Sequence, residues 1–168
     1  MKNKFFKEVV LMKKLLILII TIVISFTAYG STETKKIIEQ IRKDYAVANA
    51  EKNYKVKEFK SNIGNLVRYY TKNGETKKIV AIAIIYHGEA KSVVEYYLKN
   101  EKVYFILHSV YTLQGQNSLR FYYDSKGNLI RYTDDINGII EDREKLKKYE
   151  PQSEWLLGLP SDIKNNEY

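Results

Sequence analysis

The chain has 168 residues and no cysteine, and its 28 Lys and Arg stand against 20 Asp and Glu for a formal charge of +8. The missing thiol excludes disulfide staples, cysteine catalysis and a lipid-modified cysteine. About half of the net charge falls in residues 1–30, and the rest is spread along the chain, which excludes the clustered basic footprint of a nucleic-acid binder.

Residues 1–30 read as an export signal. Lys2, Lys4, Lys7, Lys13 and Lys14 form a basic front, and Leu15 to Ile24 is apolar except for Thr21. Ala28 and Gly30 then place small residues before a cleavage point at Ser31. The apolar run falls short of the about 20 residues that cross a bilayer comfortably. An uncleaved N-terminal anchor is the rival reading, and it would be the chain's one contact with a membrane. Met12 before Lys13-Lys14 offers a second start. Residues 31–160 then form a single domain, and 161–168 a flexible tail.

From Ser31 to Asn53 the spacing predicts a helix. Ile37, Ile38, Ile41, Tyr45 and Ala48 recur at steps of three and four, with lysines, Arg42 and glutamates outside. The charged stretch KVKEFKSNIGN reads as a connection. Six strands follow, at about 65–72, 76–87, 91–99, 102–112, 118–124 and 128–134. Asn73-Gly74 is the strongest hairpin signal, because both central residues of that turn need positive φ. Asn100-Glu101 is a weaker version, and Ser125 to Asn128 fits a two-residue turn or a three-residue loop with glycine.

Tyrosine doublets punctuate the strands at Tyr69-Tyr70, Tyr96-Tyr97 and Tyr122-Tyr123, 27 and 26 residues apart. Each ends the first strand of a hairpin, where a flat ring packs on the pleat and its hydroxyl stays wet. The stretch FYYDSKGNLIRYTD, residues 121–134, resembles one unit of the YD-type repeats of Rhs-like shell proteins. The resemblance implies a hairpin there and does not imply a shell.

The run KIVAIAIIY predicts a central strand covered on both faces. Ala81 and Ala83 leave room for a helix, and the N-terminal helix is the expected one; Val80, Ile82, Ile84 and Tyr86 lie on the opposite face. EDREKLKKYE predicts a short helix ending before Pro151. In SEWLLGLP, Ser153 is a cap, Gly158 a stop, and Trp155 with its leucines an apolar plug or a partner-binding anchor.

Chemistry-bearing patterns are few. His87 at a turn and His108 in a strand lack a nucleophile elbow, and Ser109 points away from His108's face. A small envelope hydrolase using either histidine with Glu89 or Glu95 is the alternative reading. Thr133 to Glu144 resembles the calcium loop of EF-hands through Asp135, Asn137, Gly138 and Glu144, with Thr133 in place of the first aspartate. No cofactor motif appears. Arg68 with Tyr70, and Glu95 with Tyr97, suggest a recognition face between aromatic rings and charges.

The expectation is an exported bacterial α+β protein in which one N-terminal helix packs on a six-stranded antiparallel meander, followed by a short C-terminal helical segment. The layout is similar in architecture to cystatin-like and PepSY-like domains. The expected role is non-enzymatic binding of a protein, peptide or cell-envelope component, in the periplasm or outside the cell. Arg68, Tyr70, Glu95, Tyr97 and Trp155 are the binding residues, and an outer strand is free to pair in a homodimer.

Overall fold

A computed structural model describes residues 32–61, 64–85 and 90–165. The expected export segment 1–30, His87 and the final residues 166–168 of the expected tail lie outside the described residues. The chain divides into two compact units, Met1–Glu39 and Gln40–Tyr168. Residues 32–50 form helix α1, of which 32–39 belong to the first unit. Residues 40–50 and everything beyond belong to the second.

The second unit is built on one antiparallel sheet of eight strands in sequence order, β1 (Lys55–Lys60), β2 (Leu66–Lys72), β3 (Glu75–Ile85), β4 (Ala90–Lys99), β5 (Lys102–Thr112), β6 (Gly115–Tyr123), β7 (Leu129–Asp134) and β8 (Gly138–Ile140). The class is α+β as expected, and the six-strand count is corrected to eight. The stretch expected to be a connection is β1. It lacks apolar alternation because it is an edge strand with almost every side chain in water. Lysines at such an edge discourage further pairing. The other edge, β8, is a three-residue return after Asn137-Gly138.

Asn73 and Gly74 have φ of 53° and 79°, so the first turn has the backbone that this dipeptide favours. Asn100 and Glu101 repeat it at 52° and 62°. The third turn is the three-residue loop: Gly127 sits at φ 89°, its N–H donates to the Asp124 carbonyl, and the Asp124 N–H donates to the Asn128 carbonyl.

The doublets mark more than strand ends. The register shifts at Tyr70/Thr71, Tyr97/Leu98 and Tyr122/Tyr123, so each second strand carries one extra residue: Lys77, Tyr104 and Ile130. The repeat is therefore a bulged hairpin. Each doublet also splits across the sheet. Tyr69, Tyr96 and Tyr123 face one side, while Tyr70, Tyr97 and Tyr122 face the other.

Two further helices follow: α2 (Arg143–Leu146), capped by Asp142, and α3 (Glu150–Asn165), which a 3-10 turn at Lys147–Tyr149 joins to α2. Here the expected short segments are corrected. Pro151 sits in the first turn of α3, where its missing N–H costs nothing. Gly158 and Pro160 lie inside the helix, which continues to Asn165 past the expected start of the tail at Ser161. Pro160 cannot donate to the carbonyl of Leu156, and the hydroxyl of buried Tyr96 donates there instead, at 2.5 Å. Ser153 is no cap; its Oγ lies 2.6 Å from the hydroxyl of Tyr123.

The face carrying Ala81 is covered by α3. Leu156, Leu159 and Ile163, at helical spacing, are fully buried against Val67, Ala81, Val94, Tyr96 and Phe121. Burying each such side chain contributes about 1.5–3 kcal/mol. Ala81 and Ala83 are buried, as the small side chains suggested, but under the C-terminal helix and not the N-terminal one. Residues 40–50 of α1 lie on the opposite face. There Tyr45 packs its ring 4.8 Å from that of Tyr97 and 5.3 Å from that of Phe105. That face is only half covered: Val80 and Ile82 are half-buried and Ile84 is exposed.

Candidate functional site

The half-covered face holds the candidate site, because grooves form where one short helix lies across a wide sheet. Two strand rows cross it. One runs Glu58, Arg68, Val80, Glu95, Leu107, Arg120, and the other Val56, Tyr70, Lys78, Tyr97, Phe105, Tyr122.

Arg68, Tyr70, Glu95 and Tyr97 do share this face, yet the structure does not bring them into one constellation. Arg68 Nε donates to Glu58 at 2.6 Å, and this bond keeps the guanidinium firmly protonated. Tyr70 meets Tyr54 edge to face, with ring centroids 5.8 Å apart. Glu95 pairs with Lys78 and lies 2.8 Å from the hydroxyl of Tyr97, which is also 3.0 Å from Asn49 Oδ1. Tyr97 is fully buried, and burial followed by the charge of Glu95 raises its phenol pKa. It therefore serves as core, fastening α1 to the sheet. Trp155 stands apart on α3, half-exposed, while its neighbour Leu156 is buried.

A cleft of about 200 Å³ opens between the C-terminal half of α1 and the tips of the first two bulged hairpins. Val47, Ala48, Tyr54, Leu98 and Tyr104 supply its apolar lining. Tyr104 reaches it because it is a bulge residue; the doubled position turns its side chain toward α1 beside Phe105. Lys77, the bulge residue of the preceding hairpin, lines the same cleft. The rim charges are neutralised in pairs: Lys99 with Asp44 at 3.0 Å, Lys77 with Glu75 at 2.5 Å, and Lys72 with Glu51. The bond from Lys72 holds the Glu51 carboxyl below its ordinary pKa, and burial followed by Asp44 raises that of the Tyr104 phenol. Val47 remains 71% exposed beside this lining.

Sequence reasoning missed this cleft. Lys77 and Tyr104 are themselves 27 residues apart, so the doublet repeat carried a signal, but only once each hairpin is known to be bulged.

The histidine chemistry is partly placed. On the α3 face, His108 Nε2 lies 2.9 Å from Ser92 Oγ, and both residues are buried. Burial lowers the His108 pKa to about 4, and its Nδ1 has no hydrogen-bond partner among the described residues. Ser109 points to the other face, where its Oγ lies 3.5 Å from that of Ser118. The pair Ser92–His108 thus has nucleophile-and-base spacing, and both side chains are buried.

The calcium-like loop folds as the β7–β8 hairpin. Asp135 accepts from the Ser118 N–H, Asn137 donates its amide to Asp134, and Glu144 pairs with Lys147. Among the described residues no three His, Asp or Glu side chains stand where they could hold a metal ion together. The acid that organises the loop is Asp134, which accepts from the Tyr132 hydroxyl, the Ile136 N–H and both nitrogens of Asn137. Burial pushes its carboxyl pKa up, and these bonds outweigh burial and hold it at about 2. No helix among the described residues is long and apolar enough to cross a membrane.

No protein-family model matches the chain, and no curated protein and no solved structure matches it either.

Proposed function

We propose that this chain is an exported, non-enzymatic binding module of the bacterial cell envelope that holds a protein or peptide partner on the α1 side of its sheet. The observation that carries the reading is the Tyr104 cleft, with its apolar lining, its rim of mutually paired charges and the exposed Val47 beside it. Such a lining takes an apolar side chain of a partner and a neutralised rim avoids leaving a buried charge unpaired. One helix laid across an antiparallel meander, similar in architecture to cystatin-like and PepSY-like domains, suits recognition by grooves. The buried Ser92–His108 pair favours a structural role for that histidine over hydrolysis.

The test is a pull-down from envelope extract with the chain from Ser31 onward, run beside its Tyr104→Ala and Val47→Asp variants. The reading predicts a partner retained by the parent and lost with both variants at unchanged melting temperature. A partner retained equally by all three would move the binding site elsewhere, and no partner at all would remove the reading.

A further inference from the structure

One turn back along α1 a second pocket, of about 190 Å³, opens between the helix and strands β5 and β6. Its chemistry differs from that of the Tyr104 cleft. Tyr45, Phe105 and Tyr122 provide aromatic walls, and Ile41 and Leu107 add aliphatic surface. Phe105 packs between the other two rings, 5.3 Å from Tyr45 and 4.9 Å from Tyr122, so the walls are fixed by mutual contact. Among the described residues the two remaining lining residues are Arg42 and Arg120, and none that lines the pocket is a carboxylate.

Neither arginine has an ion pair or a hydrogen bond among the described residues. This sets them apart from Arg68 on Glu58 and Arg131 on Glu141, which are satisfied on the same face of the sheet. It also sets them apart from the lysines of the neighbouring cleft, each of which has its own acid. The cross-strand neighbours of Arg120 are Leu107 and Thr133, neither of which neutralises it. Two guanidinium groups from different elements, α1 and β6, thus share one small aromatic-walled pocket with their fork donors unused. A guanidinium matches carboxylate and phosphate oxygens two at a time, and an aromatic wall takes a flat apolar body.

We infer that the Arg42–Arg120 pocket binds a small organic anion, a carboxylate or phosphate group carried on a planar apolar body. The anion meets Arg42 and Arg120, and the body lies among Tyr45, Phe105 and Tyr122. The inference stands on this pocket alone and does not need the Tyr104 cleft to bind anything.

Calorimetric titration of the full chain with benzoate, phenyl phosphate, inorganic phosphate and benzyl alcohol tests it. Saturable binding of benzoate or phenyl phosphate is expected below ~10 mM, with benzyl alcohol and inorganic phosphate each at least about tenfold weaker. Whichever of the two aryl anions binds more tightly identifies the charged group. Arg120→Gln should weaken that ligand about tenfold or more, and added salt should weaken it further. Arg42→Gln, a change on the exposed side of the helix, serves as the second variant should Arg120→Gln fail to fold. The inference is overturned if neither aryl anion saturates, if benzyl alcohol or inorganic phosphate binds as tightly as the aryl anions, or if folded variants bind as the parent does.

Discussion

Tyr96 gives Leu156 the hydrogen bond that Pro160 cannot. The helical donor to the Leu156 carbonyl would be the N–H of residue 160, and the Tyr96 hydroxyl replaces it across 60 positions of sequence. Its neighbour Tyr97 points the other way and fastens α1 through Tyr45 and Asn49. Each doublet is thus a pair of pegs through the sheet, one for each side. Tyr96→Phe leaves a buried carbonyl unpaired and should destabilise the fold by about 1–3 kcal/mol in denaturant unfolding.

The two adjacent residues of the former apolar plug should behave differently. Leu156 is fully buried, so Leu156→Ala should cost about 2–5 kcal/mol. Trp155 is 42% exposed on the outer side of α3, and Trp155→Ala should cost less than Leu156→Ala. Equal losses at both positions would contradict the assigned face of the helix.

His108 ties stability to pH. Its folded pKa is lowered to about 4 by burial, against an ordinary value of 6.5. Between those values the unfolded chain binds a proton that the folded chain does not. Stability from the neutral histidine is therefore complete above pH 6.5 and is lost as pH falls through 4, by about 3 kcal/mol in total. Urea titrations at pH 7 and pH 4.5 should show this loss, and His108→Gln should flatten it.

Asp134 adds a separate acid limb. Its folded pKa of about 2 lies below the ordinary 3.8, so its contribution is present above pH 3.8 and disappears as pH falls through 2. Asp134→Ala should destabilise the β7–β8 hairpin at neutral pH by about 1–3 kcal/mol, since Tyr132 and Asn137 lose their acceptor. Because Asp135, Asn137 and Glu144 each serve other partners, calcium and chelator should leave the melting temperature of the parent chain unchanged.

The bulged hairpins were largely legible, because Asn73-Gly74 and the tyrosine doublets encode turns and strand ends locally. β1 was not, because an edge strand in water needs no apolar alternation, and Lys55–Lys60 shows none. Gly158 and Pro160 spelled the end of a helix, and only the distant Tyr96 hydroxyl makes a continuous α3 tolerable. The alanines at 81 and 83 correctly announced a helix, but small side chains do not specify which helix arrives. Of the expected binding residues, strand alternation paired Arg68 with Tyr70 and Glu95 with Tyr97, and only the strand register places both pairs on one face. Their partners did not show, and the Tyr104 cleft required both the bulges and the seat of α1.

That the doublets act as scaffold is tested most directly by a double-mutant cycle on Tyr96→Phe and Pro160→Ala. The Pro160→Ala change restores a backbone N–H to face the Leu156 carbonyl, so removing the Tyr96 hydroxyl should cost at least about 1 kcal/mol less in that background than in the parent. Losses that add to within about 0.3 kcal/mol would show that the hydroxyl does not serve the helix, and would contradict the structural role given to the tyrosines.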